Sequence, residues 1–317
     1  NLRSWTSNNP AVRTIAAKEN LLNNDPKPKI LGMQWNTIDD TLLYPNRAIT
    51  SESKPPTKRE VLRTSSKIYD PIGFLNPVVA NAKILMQEIW QRGFQWDELL
   101  PIDLKESWEG TAKELTLSTH TQLPRQYFPS SSKWLEDTEL HVFVDASTKA
   151  YGAVAYVKSS TADLSSFVMA KSRVAPLKRL TLPQLELTAA SIGARLYSYL
   201  ERILPVTKVF LWSDSQIVLH WLYSTKQLKT YVVNRVAEIK TLTTVDNWRY
   251  CPTDDNPADL LTRGITASQL IASEIWRSGP AWLLANPEVW PPWKPTTHLL
   301  LTQTEDSTNE EKAPIPP

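Results

Sequence analysis

The chain has 317 residues, a formal net charge of +2 and 41% hydrophobic residues, a composition typical of a globular protein with room for two domains. Its one cysteine, Cys251, excludes an internal disulfide and a zinc finger and suits a reducing compartment. No stretch approaches the roughly 18 consecutive apolar residues of a membrane span, so no membrane partner is expected. The small net charge leaves a polyanionic partner open, because local basic patches can be balanced elsewhere.

The N-terminal part of the sequence predicts short elements separated by turns. A strand is expected over residues 30–35. A capping box at Thr57 and Glu60 then begins a helix that ends by Pro71, and a second helix is expected over roughly 77–91. Four apolar residues should share one face of the first of these helices: Val61, Leu62, Ile68 and Tyr69.

From residue 140 onward the pattern changes to short apolar strands and longer helices. Strands are expected at 141–144, 150–157, 166–170, 208–212 and 248–251. Helices are expected at 181–203, 215–223 and 230–241, with a last one beginning at Pro257. This order predicts an α/β fold with a mixed five-stranded sheet and flanking helices, preceded by a smaller, mostly helical region.

Four acidic residues occupy positions that indicate a common site. Asp145 and Asp214 directly follow apolar strands, Glu186 lies in the first turns of a helix rich in Ala and Leu, and Asp259 begins the last helix. Each position alone is explained by helix capping or by the helix dipole. As a set they predict carboxylates at one buried edge, where like charges repel unless cations hold them together. Oxygen ligands without His or Cys favour Mg²⁺ or Mn²⁺ over zinc.

The sequence around these acids resembles the RNase H domain of BEL/Pao-type LTR retrotransposons. The matching segments are FVDAS at 143–147, LPQLEL at 182–187, WSDS at 212–215 and NPADLLTRG at 256–264. The resemblance implies an RNase H-like fold and hydrolysis of the RNA strand of RNA–DNA hybrids with two Mg²⁺ ions, or Mn²⁺ in their place. It also implies that the same four acids are both the catalytic residues and the metal ligands: Asp145, Glu186, Asp214 and Asp259.

The resemblance extends upstream and implies a fragment of a longer polyprotein. Residues 1–30 are similar to the end of a reverse transcriptase palm, and 31–135 to a thumb and connection region. Residues 136–275 would form the RNase H-like domain, and 276–317 a Pro- and Trp-rich linker with a polar tail. The reverse transcriptase and integrase parts of the same polyprotein would then be partners, in cytoplasmic virus-like particles or in the nucleus.

Polar and basic residues near the acids indicate where an RNA–DNA hybrid would bind. Cationic side chains around an acidic site suit the phosphates of a duplex, although the same residues also fit a solvated surface. The expected nucleic-acid ligands are Ser147, Lys171, Arg173, Lys178, Arg179 and Arg235. Trp35 and Trp96 are further candidates for stacking on bases.

The sequence departs from the family pattern at one position, and two alternative functions stay open. Many relatives carry a His shortly before the last Asp, whereas Arg249–Pro252 contain none, which bears on turnover rather than on metal binding. The upstream region is sometimes labelled an aspartic peptidase, which needs two Asp on Asp-Thr/Ser-Gly loops. The nearest sequences, Asp214–Gln216 and Asp70–Pro71, lack the Gly. The other alternative is a decayed element that persists as a non-catalytic nucleic-acid-binding module.

Overall fold

The computed structural model describes residues 4–23, 25, 27–45, 56–128, 138–159 and 163–292. The first three residues of the palm-like segment and the polar tail from 293 onward therefore lie outside the described residues. Within the described part of the chain, no helix is long and apolar enough to cross a membrane.

Among the described residues, the N-terminal region combines a small antiparallel sheet with helices. Its strands are β1 (Lys29–Ile30), β2 (Met33–Asn36), β3 (Thr41–Leu43) and β4 (Gln122–Pro124). Its helices are α1 (Pro10–Lys18), α2 (Lys58–Ser65), α3 (Asn76–Gln91) and α4 (Ile102–Ser118). The strands pair with one another in chain order.

The single strand predicted over 30–35 is wrong, because the chain reverses direction within it. β1 and β2 form a tight hairpin in which Ile30 pairs with Met33. Leu31 and Gly32 form the turn with φ angles of 49° and 83°, in the left-handed region that Gly adopts without strain. The alternation of apolar residues gave no sign of this reversal.

The first predicted helix is also shorter than expected. α2 ends at Ser65, so Ile68 and Tyr69 lie in the following loop rather than on an apolar helix face. The Ser66 hydroxyl donates to the Leu62 carbonyl oxygen at 2.7 Å, a local bond that competes with continuation of the helix. Leu62 itself is 41% exposed.

The C-terminal half is built on a larger sheet. Its strands are β5 (Thr138–Ala146), β6 (Ala150–Ser159), β7 (Leu164–Val174), β8 (Lys208–Ser213) and β9 (Trp248–Tyr250). Its helices are α5 (Leu182–Leu200), α6 (Gln216–Tyr223), α7 (Thr230–Leu242), α8 (Asp259–Arg263), α9 (Ala267–Ala272) and α10 (Glu274–Ser278). The spatial order is β7-β6-β5-β8-β9; β5, β8 and β9 run parallel, and the other neighbours are antiparallel. The predicted α/β class with a mixed five-stranded sheet is confirmed.

Helices cover both faces of this sheet, and one of them comes from the N-terminal region. α5 lies on one face, where a Cβ at Gly193 would come within 2.4 Å of Val144 Cγ1. α3 and α8 lie on the other face. There Asn81 Nδ2 donates to the Ile265 carbonyl oxygen at 3.2 Å, and the Pro77 carbonyl accepts from the Ile265 amide at 3.1 Å. The N-terminal region therefore shares a core with the sheet.

The segment expected to be a linker packs against the sheet as far as Trp290. Trp276 and Leu283 are fully buried, and Trp290 is 7% exposed. The Trp276 indole donates to the Phe74 carbonyl oxygen at 2.9 Å. Trp290 meets the Phe210 ring edge to face, with centroids 4.9 Å apart. These aromatic residues complete the core on the α3 face.

A buried charge cluster lies at the beginning of β5. Glu139, with a side chain only 3% exposed, lies 3.2 Å from Lys158 Nζ, 3.6 Å from Lys208 Nζ and 3.4 Å from His141 Nε2. Burial alone would raise the pKa of Glu139, but the hydrogen bond from His141 and the charge of Lys158 outweigh it and lower the pKa to about 2. Burial lowers the pKa of His141, whose Nδ1 accepts from the Trp212 indole at 3.2 Å. The neutral ring can therefore donate from Nε2 to Glu139.

We expect Glu139→Gln to lower the free energy of unfolding at pH 7 by about 3 kcal/mol, because it leaves Lys158 buried without its counter-charge. A carboxyl group whose pKa is lowered in the folded state stabilises the fold at pH values above its unfolded-state pKa, which is 4.5 for Glu139. This contribution is lost as the pH falls through the folded-state pKa of about 2. The wild type should therefore lose more stability than the variant across that pH range in chemical denaturation. Glu288→Gln at an exposed site is the control, and parallel pH curves for all three proteins would contradict the prediction.

Candidate active site

The parallel pairing of β5 and β8 brings the first two acids together. Val144 pairs with Ser213, so the next residues along the two strands, Asp145 and Asp214, lie side by side at the same edge of the sheet. The Asp145 side chain is buried, since β5 is an interior strand with helices on both faces.

Glu186 reaches this edge from α5. The capping box predicted at the start of this helix is present, with the Thr181 amide donating to Gln184 Oε1 at 2.9 Å. The Ser215 hydroxyl donates to the Glu186 carboxylate, while Ser215 also caps α6 by accepting from the Val218 amide at 3.3 Å. Ser215, the residue after Asp214, thus connects the end of β8 to Glu186 on α5.

Asp259 reaches the same edge from α8, through a loop anchored to β5. Asn256 Nδ2 donates to the Val144 carbonyl oxygen at 3.0 Å, and Asn256 Oδ1 accepts from the Ala258 amide at 3.1 Å. One turn into α8, the Thr262 hydroxyl donates to the Asp145 carboxylate. The loop before Asp259 and the helix after it are therefore both fixed to the strand that carries Asp145.

The four carboxyl groups act on one another electrostatically. Burial, together with the charges of Asp214 and Asp259, raises the pKa of Asp145 to about 7. Burial and Glu186 raise the pKa of Asp214 to about 6. The pKa of Glu186 is raised by burial and by Asp145, and that of Asp259 by burial despite the opposing charge of Arg263. The sequence placed these acids at a shared edge, and the structure brings them there.

Each carboxylate is held by a different neighbour. The pairs are Asp145 with Thr262, Glu186 with Ser215, Asp214 with Thr253, and Asp259 with Arg263. Among the described residues, no three Asp, Glu, His or Cys side chains lie close enough together to hold a metal ion as placed. The metal-binding role of the four acids therefore stays a prediction.

The donor chemistry nevertheless fits a hard divalent cation. All four groups offer carboxylate oxygens, the ligands that Mg²⁺ takes in proteins. The raised pKa values of Asp145 and Asp214 mark negative charge that nearby cationic residues do not balance. The metal and catalytic roles of the four acids remain predictions.

Sequence reasoning missed the hydroxyl groups that orient these acids. Thr262 and Ser215 lie within the segments that carried the resemblance, three residues after Asp259 and one after Asp214. The sequence signal that could have identified them is a Ser or Thr one or three positions after a candidate acidic ligand. His220 is buried on α6.

Four of the expected nucleic-acid ligands form an exposed basic cluster. Lys171 and Arg173 lie on β7, and Lys178 and Arg179 in the loop that leads to α5. None of the four forms an ion pair with any described residue. Lys171 and Arg173 also line a cavity of about 240 Å³, where the buried Ser172 hydroxyl oxygen has no hydrogen-bond partner among described residues. This cluster has unpaired charge available for phosphates.

The other two expected ligands are engaged within the protein. The Ser147 hydroxyl accepts from the Lys149 and Ala150 amides at 3.1 and 3.2 Å and lies 3.1 Å from the Thr262 carbonyl oxygen. The Arg235 guanidinium lies 5.0 Å from the centre of the Tyr231 ring. Ser147 therefore has an evident structural role in the turn after β5, and its contact with nucleic acid remains a prediction.

The two tryptophans considered for base stacking differ in exposure, since Trp35 is buried and Trp96 is 37% exposed. Trp35 is 9% exposed, and its indole donates to Asp40 at 2.9 Å, with the Arg125 guanidinium 5.3 Å from its ring. Trp96 meets Trp90 edge to face at 5.7 Å. Trp35 is therefore unavailable for stacking on bases.

Comparison with known protein families identifies one match. A family model described as the Pao retrotransposon-like RNaseH-like domain matches residues 57–215, half of the chain. No curated protein sequence matches it.

Three solved structures are similar to the chain at low identity. A foamy viral protease-reverse transcriptase has a TM-score of 0.47 and 12% identity, over 74% of this chain and 38% of that one. The N-terminal RNase H domain of a Mycobacterium tuberculosis protein has a TM-score of 0.31 and 15% identity, over 40% of this chain and 91% of that one. RNase H1 of Halobacterium salinarum has a TM-score of 0.29 and 17% identity, over 40% and 94%. The chain thus spans little more than a third of the foamy viral protein.

We expect Asp145→Asn to stabilise the protein in chelator at pH 8, because it removes one negative charge from four mutually repelling acids. The gain should be about 1–2 kcal/mol in the free energy of unfolding. Millimolar Mg²⁺ should raise the melting temperature of the wild type and have less effect on the variant. Asp163→Asn, at an exposed turn residue with a φ of 46°, is the matched control. A variant less stable than the wild type in chelator would contradict the repulsion.

Proposed function

Because this chain belongs to the family of Pao retrotransposon-like RNaseH-like domains, we propose that it hydrolyses the RNA strand of RNA–DNA hybrids in a metal-dependent reaction. The observation that carries the proposal is the meeting of four acids from two parallel strands and two helices at one edge of the sheet. A purely structural role does not explain four carboxyl groups whose pKa values are raised by burial and, for Asp145, Glu186 and Asp214, also by the charge of a neighbouring acid of the set.

The four acids would hold Mg²⁺, or Mn²⁺ in its place, and the bound ions would activate the attacking water and stabilise the leaving oxygen. Asp145 is the central group, since its charge and those of the other three acids act on one another. Asp145 would therefore be the principal ligand of the bound metal. Thr262 and Ser215 hold two of the carboxylates in orientation, and Arg263 restrains Asp259 at 2.7 Å.

The exposed basic cluster supports the proposed substrate. Lys171 and Arg173 flank Ser172 on β7, which pairs with Gly152 of β6, and Gly152 in turn pairs with Asp145 on β5. Lys178 and Arg179 lie in the loop before α5, the helix that carries Glu186, so phosphates bound by these residues would lie on the side of the sheet edge that holds the acids. Such contacts position a duplex without reading its sequence, and RNA would be distinguished by its 2′-hydroxyl groups. In this proposal the chain acts beside the reverse transcriptase and integrase parts of a polyprotein, in cytoplasmic particles or in the nucleus.

The aspartic peptidase alternative gains no support from the two sequences that suggested it. Asp70 is engaged in its own loop, where its carboxylate accepts from the Gly73, Phe74 and Leu75 amides at 2.8–3.1 Å. The charges that act on Asp214 come from Glu186 and Asp259. The decayed-module alternative differs only in activity, so a cleavage assay decides it.

We expect Asp145→Asn to reduce Mg²⁺-dependent cleavage of an RNA–DNA hybrid by at least about a hundredfold, since it removes the negative charge of the central ligand. Single-turnover cleavage of a labelled hybrid measures this, with Asp163→Asn as the control that retains wild-type activity. Circular dichroism should show both variants folded. An Asp145→Asn protein that cuts at the wild-type rate would refute the site, and a wild type that binds but never cuts would favour the decayed module.

The basic cluster makes a separate prediction about binding. Each phosphate contact releases about 0.9 counterion, so Lys178→Ala or Arg179→Ala should flatten the log–log dependence of hybrid affinity on salt by roughly that amount. The loss of affinity should be similar for unrelated sequences. Fluorescence anisotropy over a salt series measures both quantities, with Lys113→Ala on α4 as the control. If the salt dependence is the same in the variants as in the wild type, these basic residues are solvated surface residues that do not contact phosphates.

A further inference from the structure

A second cavity lies apart from the four acids, between the N-terminal helices and the end of β7. Its volume is about 620 Å³, within the roughly 300–1,000 Å³ typical of small-molecule sites. One wall is the face of α3 that carries Val79, Lys83 and Met86, and the opposite walls include Leu62 of α2 and Leu177 after β7. None of the four acids lines it.

Lys83 is the unusual residue of this cavity. It is partly buried among apolar side chains and forms no hydrogen bond or ion pair with any described residue. Burial lowers its pKa, and the charge of Lys171 lowers it further, against the opposing effect of Asp70. A partly desolvated ammonium group with no partner is costly, and a bound anion would offset that cost.

The nearby carboxylate of Asp70 acts on Lys83 through its charge but forms no hydrogen bond or ion pair with it. Asp70 also lines the cavity, but it accepts hydrogen bonds from three backbone amides and, at 3.1 Å, from the Tyr44 hydroxyl. It therefore fixes the loop between α2 and α3. The unpaired charge in the cavity is that of Lys83, with Lys171 close enough to reinforce it.

The remaining lining determines the kind of anion. Most of the exposed cavity wall is apolar, and large hydrophobic side chains stand at its mouth: Leu62 is 41%, Trp90 49% and Leu177 54% exposed. Trp90 is held in place by Trp96, with centroids 5.7 Å apart. A bare inorganic anion would leave these surfaces in water, whereas an anion attached to an apolar body would cover them.

We propose that this cavity binds a small organic anion, with its carboxylate, sulfonate or phosphate group at Lys83 and its apolar or aromatic body between Leu62, Met86 and Trp90. This goes beyond the proposed nuclease, because the site is lined by none of the four acids and does not require the protein to be active. The exposed Trp90 gives the bound ring a surface on which to pack.

The test uses two probes that share one ring system. 1-Anilinonaphthalene-8-sulfonate carries an anionic group, and N-phenyl-1-naphthylamine lacks it. Titration of the full chain, followed by probe fluorescence, should show the sulfonate binding about tenfold more tightly, as expected for a charge-assisted contact. Lys83→Met, which keeps the apolar stem of the side chain, should abolish that difference and leave the neutral probe unaffected.

Further variants separate charge from apolar contact. Leu62→Ala should weaken both probes alike, and Lys113→Met, on the exposed face of α4, should change neither. Equal affinities for the two probes, or sulfonate binding unchanged in Lys83→Met, would overturn the proposal. Displacement of the sulfonate by inorganic phosphate at similar concentration would also overturn it, since no apolar body would then be needed. Displacement by a single-stranded oligonucleotide whose binding requires Lys83 would identify nucleic acid as the occupant instead.

Discussion

The pairing of β5 with β8 is the interaction on which the candidate site depends. Parallel strands place their carboxyl ends at the same edge, and the register of Val144 with Ser213 brings Asp145 and Asp214 side by side. A shift by one residue would turn one of these side chains to the other face of the sheet. Burial on both faces fixes the register, because each strand presents apolar residues to α5 on one side and to α3 and α8 on the other.

The N-terminal region is part of what holds the fourth acid. α3 packs on the sheet and on the segment after α8, where Asn81 and Pro77 bind the backbone of Ile265. A Cβ at Gly264 would come within 2.0 Å of Asn81 Oδ1, so the two segments lie in close contact. The position of Asp259 thus depends on residues almost two hundred positions earlier in the chain, and the boundary inferred at residue 135 does not separate two independent cores.

The features that could be predicted from sequence are those encoded locally. Apolar runs ending in Asp145 and Asp214, and the capping box before Glu186, predicted both the sheet and its edge. The β1–β2 hairpin was missed because it rests on the backbone angles of Leu31 and Gly32, which periodicity does not report. The positions of the acid side chains could not be predicted from the sequence either, because residues distant in the chain, such as Thr262, orient them. Burial of Trp290 was missed for the same reason, because Pro-rich composition hid its contact with Phe210.

That contact has a consequence for where the chain can be cut. Trp276, Leu283 and Trp290 fill the α3 face of the sheet, so a proteolytic cut at residue 275 would remove three buried side chains and uncover an aromatic surface. Exposed apolar surface of that kind promotes aggregation. A cut compatible with a stable product must therefore lie beyond Trp290, and recombinant fragments should retain residues through Pro292. The C-terminal limit of the folded unit is thus set by an aromatic contact and not by the last helix.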